Sequence, residues 1–227
     1  MESKALIFDS SSIITLALNN MLNVLPRLKE AFGGKFLITP QVKNEIVDYP
    51  LNEKRFELEA LLISNLIEKG ILEISSPADL KKETKTAMDI ANSAFAAHDE
   101  DIKILHEGES SCFALAKLLS RDYKVFIAID ERTARVFSEK PENLQKLFEK
   151  KLHTGVRSDK TKFSYFSGFD ILRSSELLFV AYKKGFIDLP TEPEIAIDAL
   201  LFAARFKGCS ISYKEIQEAK ALASESF

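Results

Sequence analysis

The sequence of 227 residues lacks the features that mark several classes of protein. Its two cysteines, Cys112 and Cys209, lie far apart and form no CxxC pair, which excludes a disulfide framework and a zinc ribbon and favours a reducing cytoplasm. The stretch "MESKALIFDS" at residues 1–10 has no basic region followed by a long apolar region, so we expect no signal peptide. No apolar run approaches the roughly 18 residues of a membrane span, so we expect no membrane partner.

Charge of one sign and several catalytic motifs are also missing. The net charge is −3, so any surface for nucleic acid has to be local. A GxSxG nucleophile elbow and a GxxxxGK[ST] phosphate loop are both absent. The histidines at 98, 106 and 153 show no HxH or HExxH spacing, which favours structural or solvated roles over metal binding.

What is present is an alternation of short apolar runs with longer helical patterns. The runs predict strands at 4–8, 35–39, 71–75 and 124–129. Such alternation is typical of a three-layer α/β/α fold with a central, mostly parallel sheet. A polar helical stretch is predicted over 78–107, and further helices are predicted near 171–185, 193–206 and 212–224.

Carboxylates occur at comparable places along this pattern. Asp9 and Asp130 each follow a strand directly, Glu45 lies on the helix after the second strand, and Glu109 lies in the first turn of its helix. Ligands of parallel sheets bind beyond the carboxyl ends of the strands, and Mg²⁺ and Mn²⁺ prefer oxygen ligands. The pattern therefore predicts a metal site, without distinguishing RNA, DNA or a phosphorylated small molecule as substrate.

The same residues resemble a known family. The strings "IFDSSSII", "ITPQVKNEI", "GESSCFALA" and "VFIAIDERTAR" resemble the successive acidic motifs of PIN-domain ribonucleases, over about residues 4–138. The resemblance implies a catalytic set of metal-binding acids, namely Asp9, Glu45, Glu109 and Asp130. It also implies Mg²⁺ or Mn²⁺ as cofactor, Ser11 as a support for the first acid, and a further acid at Glu131 or Asp170.

The implied activity is cleavage of single-stranded RNA by metal-activated water, leaving 5′-phosphate and 3′-hydroxyl ends. The tail "DALLFAARFKGCSISYKEIQEA" resembles the C-terminal helices of a PIN subgroup with toxin-like members, which implies an antitoxin partner and a homodimer. On this reading residues 1–140 form a PIN-like nuclease core, 141–170 a basic and aromatic insertion or loop, and 171–227 a C-terminal helical part of the same domain.

Residues 146–169 contain six Lys or Arg and two Asp or Glu, together with several aromatic residues. This composition suits attraction to a nucleic-acid backbone and stacking on bases. The RNA-binding candidates are Lys160, Lys162 and Tyr165, with Arg132 from the helix after Asp130. The alternative is a solvated loop whose aromatic residues pack on the core, with Arg132 merely solvating its helix.

Each acid also has a purely structural explanation. Asp9 and the pair Asp130-Glu131 fit helix caps, Glu109 is favoured in a first helical turn by the helix dipole, and Glu45 fits the exposed face of an amphipathic helix. A PIN-like scaffold without turnover, which binds RNA or a protein partner, is therefore the alternative function. A phosphatase of the haloacid-dehalogenase type would need D-x-D after the first strand, where Ser11 stands instead.

Overall fold

The structure is a computed structural model that describes residues 3–224. Within this range the chain forms eight strands, which are β1 Lys4–Phe8, β2 Lys35–Ile38, β3 Glu73–Ile74, β4 Phe95–Ala97, β5 Glu100–Asp101, β6 Lys124–Ala128, β7 Arg157–Ser158 and β8 Asp170–Leu172. The same residues form eleven α-helices, which are α1 Ser10–Leu18, α2 Leu25–Phe32, α3 Pro40–Lys43, α4 Glu57–Glu68, α5 Leu80–Asn92, α6 Glu107–Leu119, α7 Arg132–Glu139, α8 Pro141–Leu152, α9 Ser174–Lys183, α10 Pro193–Phe206 and α11 Tyr213–Ser224.

The central sheet has five strands in the order β3-β2-β1-β6-β8, and every neighbouring pair is parallel. Residues 5–8 of β1 are buried on both faces of the sheet, as expected of a strand covered by helices on each side. The predicted three-layer α/β/α fold with a parallel central sheet is therefore confirmed. Strands β1 and β6 pair in register from Lys4 and Lys124 to Phe8 and Ala128, so the residues that follow them emerge at the same edge.

The second strand leads into a short helix, as its sequence predicts. The Thr39 side chain accepts a hydrogen bond from the Val42 N–H at 3.1 Å, and Pro40 occupies the first helical position, where its missing N–H costs little. Helix α3 then continues as a π-helical turn at Asn44–Asp48. This turn carries Glu45 at the carboxyl edge of the sheet.

The predicted polar helix over 78–107 is wrong in its second half. Helix α5 ends at Asn92, whose side chain accepts hydrogen bonds from the N–H groups of Ile104 and Leu105. Strands β4 and β5 then form a hairpin, and β4 also pairs with β7. Phe95 on β4 is buried and stacks on Phe163 at 5.4 Å. Packing between distant segments thus outweighs the local helical pattern.

The basic and aromatic segment is built largely into the core. Its Phe163 and Phe166 are 8% and 0% exposed, and both pack against Phe137 of α7. For these two side chains, the alternative interpretation, in which the aromatic residues of the segment pack on the core, is therefore correct. Strand β8 then completes the sheet at its edge, which is why α9 begins at Ser174 rather than near 171.

The three helices predicted at the C-terminal end are present as α9, α10 and α11. Helix α10 packs against both of the others, and their buried residues join the main core. None of the helices in the described range is both long enough and apolar enough to cross a membrane.

Candidate metal centre

Asp9 lies directly beyond β1 and serves two purposes with its two oxygens. Its Oδ2 caps helix α1, accepting hydrogen bonds from the Ser11 N–H at 3.0 Å and from the Ser11 hydroxyl at 2.5 Å. Its Oδ1 is buried and has no hydrogen-bond partner among the described residues. The whole residue is 1% exposed. Buried polar atoms almost always have a partner, so this oxygen is an exception in the fold.

Ser11 connects the ends of the two central strands. Its hydroxyl oxygen accepts a hydrogen bond from the Asp130 N–H at 3.0 Å while the hydroxyl donates to Asp9. The carboxylate of Asp130 is fully buried and turns towards α9. Its Oδ1 accepts from the Ser174 N–H at 2.7 Å, and its Oδ2 accepts from the Ser174 hydroxyl at 2.6 Å. Each of these oxygens still has a second lone pair with which it can accept.

Glu45 and Glu109 approach from the other side, across the start of α6. A Cβ placed on Gly108 would lie 2.5 Å from Oε1 of Glu45, so the glycine provides the space that this carboxylate occupies. Glu109 is the third residue of α6, and its Oε2 accepts from the His106 N–H at 2.6 Å. Both acids are therefore held at the N-terminus of one helix, where the helix dipole favours negative charge.

Burial and mutual repulsion raise the pKa values within this group. Burial raises the pKa of Asp9 to about 6, against the hydrogen bonds from Ser11, and the charge of Glu45 adds to the rise. Burial likewise raises the pKa of Glu109 to about 7, against the His106 N–H, with Asp9, Glu131 and Glu45 adding. Carboxylates that disfavour one another's charge in this way are stabilised by a cation.

Glu131 belongs to the same edge, whereas Asp170 does not. The Oε2 of Glu131 accepts from the Ala134 N–H at 2.7 Å and caps α7, and its charge acts on Glu109. Asp170 begins β8 and therefore lies at the opposite edge of the sheet, with Lys124 at 3.9 Å. The structure does not bring Asp170 to the other acids.

Among residues 3–224, no three His, Cys, Asp or Glu side chains converge closely enough to hold a metal ion. Three of the four acids instead accept hydrogen bonds from N–H groups at helix starts, namely Asp9, Glu109 and Asp130. The donor set itself fits a hard divalent cation, because all the donors are carboxylate oxygens and one buried oxygen of Asp9 has no partner.

Most of the predicted RNA-binding residues lie away from the acids. Lys162 donates to the carbonyl oxygen of Ser93 at 2.9 Å and lies 3.4 Å from Asp159. The Tyr165 hydroxyl donates to Glu83 at 2.6 Å. Both line a cleft of about 1040 Å³ together with Tyr123 and the first residues of β6, which places them at the opposite sheet edge.

Lys162 and Tyr165 lie on a 3-10 helix that spans Lys160–Tyr165, and Lys160 is exposed at the start of this helix. Of these candidates only Arg132 lies beside the acids, as the first residue of α7.

The sequence analysis missed the loop between α10 and α11, which packs on the acidic edge. The Ser210 N–H donates to the carbonyl oxygen of Asp130 at 3.2 Å, and Arg173 donates to the carbonyl oxygen of Ser210 at 3.0 Å. Arg173 also pairs with Glu215 at 2.8 Å. The string "SYKE" at 212–215 forms a capping box. This sequence pattern could have predicted where the loop ends and α11 begins.

Comparison with known proteins gives one match. A family model described as a PIN domain matches residues 5–142, the part of the chain that carries the four acids. No curated protein and no solved structure matches the chain. PIN domains are generally nucleases, and they typically use divalent metal ions. Since the match covers more than half of the chain and the fold agrees with it, this protein belongs to the PIN-domain family.

Proposed function

We propose that the protein is a metal-dependent endoribonuclease that hydrolyses phosphodiester bonds in single-stranded RNA. The observation that carries the proposal is the buried, unpartnered Oδ1 of Asp9, which lies within the field of Glu45 at the carboxyl edge of the sheet. The ligands of Mg²⁺ or Mn²⁺ would be Asp9, Glu45, Glu109 and Asp130. When bound there, a divalent ion supplies the positive charge that activates water and stabilises the leaving oxygen.

The remaining residues of the edge position these acids. Ser11 holds Asp9 and the Asp130 backbone in a fixed relation, and Ser174 orients the Asp130 carboxylate. Glu131 adds negative charge beside Glu109 and would support a bound cation from the start of α7. Burial of Asp9 and Asp130 keeps bulk water from these two carboxylates, which strengthens every electrostatic interaction they make.

A second function, a PIN scaffold that binds RNA or a protein without turnover, is favoured by a different observation. Asp9, Glu109 and Glu131 all accept hydrogen bonds from helix N-termini, so each is useful to the fold without a metal. Under this alternative, RNA binding survives both EDTA and the loss of the acids.

Cleavage of a labelled panel of single-stranded RNAs with Mn²⁺, with Mg²⁺ and with EDTA separates these two functions. We expect cleavage with metal only, and a loss of roughly 100-fold or more in Asp9→Asn and Asp130→Asn, the scale of removing one electrostatic group from an active site. Asp122→Asn is the matched control, because Asp122 is exposed in the loop before β6 at the opposite edge. Cleavage retained by both edge variants would show that other carboxylates act.

The biological setting belongs to the same proposal. A toxin role requires an antitoxin that covers the acids, and a homodimer requires a self-complementary surface. Helix α4 exposes Leu58, Leu61 and Leu62, an apolar surface that a protein partner would cover. The free, buried Cys112 and Cys209 suit a cytoplasmic location. Light scattering of the purified chain tests the dimer.

A further inference from the structure

A groove of about 650 Å³ lies beside the acidic edge, between α7 and the loop that joins α10 to α11. The groove is defined by Arg132, Arg135, Arg205, Phe206, Tyr213 and the loop residues 209–212. Most of these residues lie beyond residue 142, outside the part of the chain that matches the PIN family. The groove is therefore formed jointly by the matched region, through Arg132 and Arg135, and by residues beyond it.

The groove carries an excess of positive charge. Arg132 is exposed, Arg135 pairs with Glu139 at 3.0 Å, and Arg205 lies over the ring of Tyr213 at 4.4 Å. The acid that lines the groove, Glu215, is engaged by Arg173. The guanidinium groups of Arg132 and Arg205 form no ion pair among the described residues. Arg205 donates to the carbonyl oxygen of Ile211 and lies over Tyr213, so its charge is held at the groove without being neutralised by an acid.

Two aromatic side chains stand exposed at the same groove. Phe206 is 75% exposed and Tyr213 is 58% exposed. Phe202 lies against both, with ring centroids 6.0 Å from Phe206 and 5.5 Å from Tyr213, and thereby holds them in place. Exposed aromatic rings beside arginines that form no ion pair are a combination that binds single-stranded nucleic acid, because rings stack on bases while cations attract phosphates.

The groove shares a wall with the acids. The Ser210 N–H donates to the Asp130 carbonyl oxygen, and Arg132 follows Asp130 by two positions in the chain. The Thr15 hydroxyl of α1 donates to the carbonyl oxygen of Ser11 at 3.0 Å and lies 3.5 Å from the carbonyl oxygen of Lys207, so the other end of the loop is close to the helix that Asp9 caps. A strand lying in the groove would therefore run directly onto the acidic edge.

We propose that this groove binds single-stranded RNA and leads it to the acids. Arg132 and Arg205 contact backbone phosphates, and Phe206 and Tyr213 stack on bases. The inference rests on the proposed function for its substrate, but the binding itself needs neither metal nor cleavage. A protein partner is the less favoured occupant, because arginines that form no ion pair would need acidic partners to offset their desolvation when buried in a protein interface.

The test is binding of a fluorescently labelled single-stranded RNA of about 12 nucleotides, measured in EDTA so that no cleavage occurs. We expect Tyr213→Ala and Phe206→Ala each to weaken binding by roughly 5- to 100-fold, the range found for loss of one stacking ring. Tyr213→Phe keeps the ring and should bind as the unaltered protein does. Arg205→Ala should reduce the slope of log affinity against log salt by about 0.7, the value for one phosphate contact on a single strand.

Arg121→Ala is the matched arginine control, since Arg121 is exposed in the loop before β6 at the opposite edge. Unchanged RNA affinity in the three alanine variants of the groove would overturn the inference. A change of oligomeric state with no change in RNA affinity would also overturn it, because the groove would then be a protein interface.

Cleavage with Mn²⁺, measured on the same variants, separates this inference from the proposed function. If the unaltered protein cleaves RNA but the groove variants bind RNA normally, the proposed function is supported and the role of the groove is overturned. If the groove variants lose RNA binding but the unaltered protein does not cleave RNA, the role of the groove is supported and the proposed nuclease function is overturned. Binding of a single-stranded DNA of the same sequence, run in parallel, shows whether the groove selects RNA.

Discussion

The carboxylate of Glu45 occupies the space that a side chain on Gly108 would fill, since a Cβ there would lie 2.5 Å from Oε1 and 2.8 Å from Oε2 of Glu45. Gly108 is the second residue of α6, where alanine is the better helix former by about 1 kcal/mol. Gly108 therefore makes room for the Glu45 carboxylate and does not stabilise the helix.

Gly108→Ala is expected to separate folding from activity. The atom that must move is the end of a flexible side chain, so we expect the free energy of unfolding to stay the same or rise by up to about 1 kcal/mol. RNA cleavage should fall, because Glu45 leaves its place beside Glu109. Gly155→Ala is the control, since a Cβ there meets nothing within 4 Å. Chemical denaturation and cleavage assays on both variants measure the two effects, and full activity in Gly108→Ala would contradict the assignment of Glu45.

Ser11→Ala should harm both the fold and the site. It removes the hydroxyl that donates to Asp9 and leaves the Asp130 N–H without its acceptor. We expect a loss of about 1–3 kcal/mol in the free energy of unfolding, and a fall in cleavage of roughly 10- to 100-fold, the scale for residues that orient metal ligands. Ser10→Ala is the neighbouring control. Equal effects of the two substitutions would show that the hydroxyl of Ser11 has no special role.

Asp9→Asn should stabilise the protein while abolishing cleavage. At pH 8 the carboxylate is ionised, since its pKa is about 6, and it is buried near other acids. Asparagine caps a helix as well as aspartate does and carries no charge. In EDTA we expect the free energy of unfolding to rise by about 1–3 kcal/mol. Denaturant titration in EDTA at pH 8 measures this change, and a less stable variant would show that the buried charge of Asp9 does not destabilise the fold.

Glu215→Gln should change the pH dependence of stability. Burial would raise the pKa of Glu215, but hydrogen bonds from Ser212 and the contact with Arg173 outweigh it and lower the pKa to about 2, from an ordinary 4.5. A carboxyl group with a lowered pKa stabilises the fold above pH 4.5, and this contribution is lost as the pH falls from 4.5 to 2. The variant should therefore be less stable at pH 7, by about 1 kcal/mol given the solvent screening at a side chain that is 35% exposed.

The stability of Glu215→Gln and of the unaltered protein should converge near pH 2. Glu218→Gln is the matched control, because Glu218 pairs only at the surface, with Lys214 at 3.5 Å. Unfolding curves at several pH values test the prediction. A constant difference between the two proteins over the whole range would contradict it.

The parts of the fold that depend on local signals were predictable. Strands β1 and β6 are short apolar runs that are followed by acids. The pair Thr39-Pro40 predicts the start of α3, because threonine caps a helix and proline fits its first position. The acids themselves could be found because the carboxyl ends of parallel strands meet at one edge of the sheet, regardless of the conformation of the loops between them.

The parts that depend on distant contacts were not predictable. The hairpin of β4 and β5 forms because Phe95 packs against Phe148 and Phe163, more than 50 residues away in the chain. Lys162 and Tyr165 have the composition of a nucleic-acid surface, but that composition does not reveal the edge of the sheet they reach. The approach of Ser210 to Asp130 likewise joins segments about 80 residues apart, and nothing in the local pattern signals it.

The double use of the acids has a consequence for how this protein evolves. Asp9, Glu109 and Glu131 accept hydrogen bonds at the starts of helices, and Asp9 and Glu109 are also among the acids proposed to hold the cation. A descendant that lost nuclease activity would keep hydrogen-bond acceptors at these three positions under selection for folding alone, and asparagine would serve in place of Asp9. Gly108 has no such protection, since alanine improves its helix once Glu45 is free to move. Replacement of Gly108, rather than loss of these hydrogen-bond acceptors, is the change expected to mark an inactive lineage.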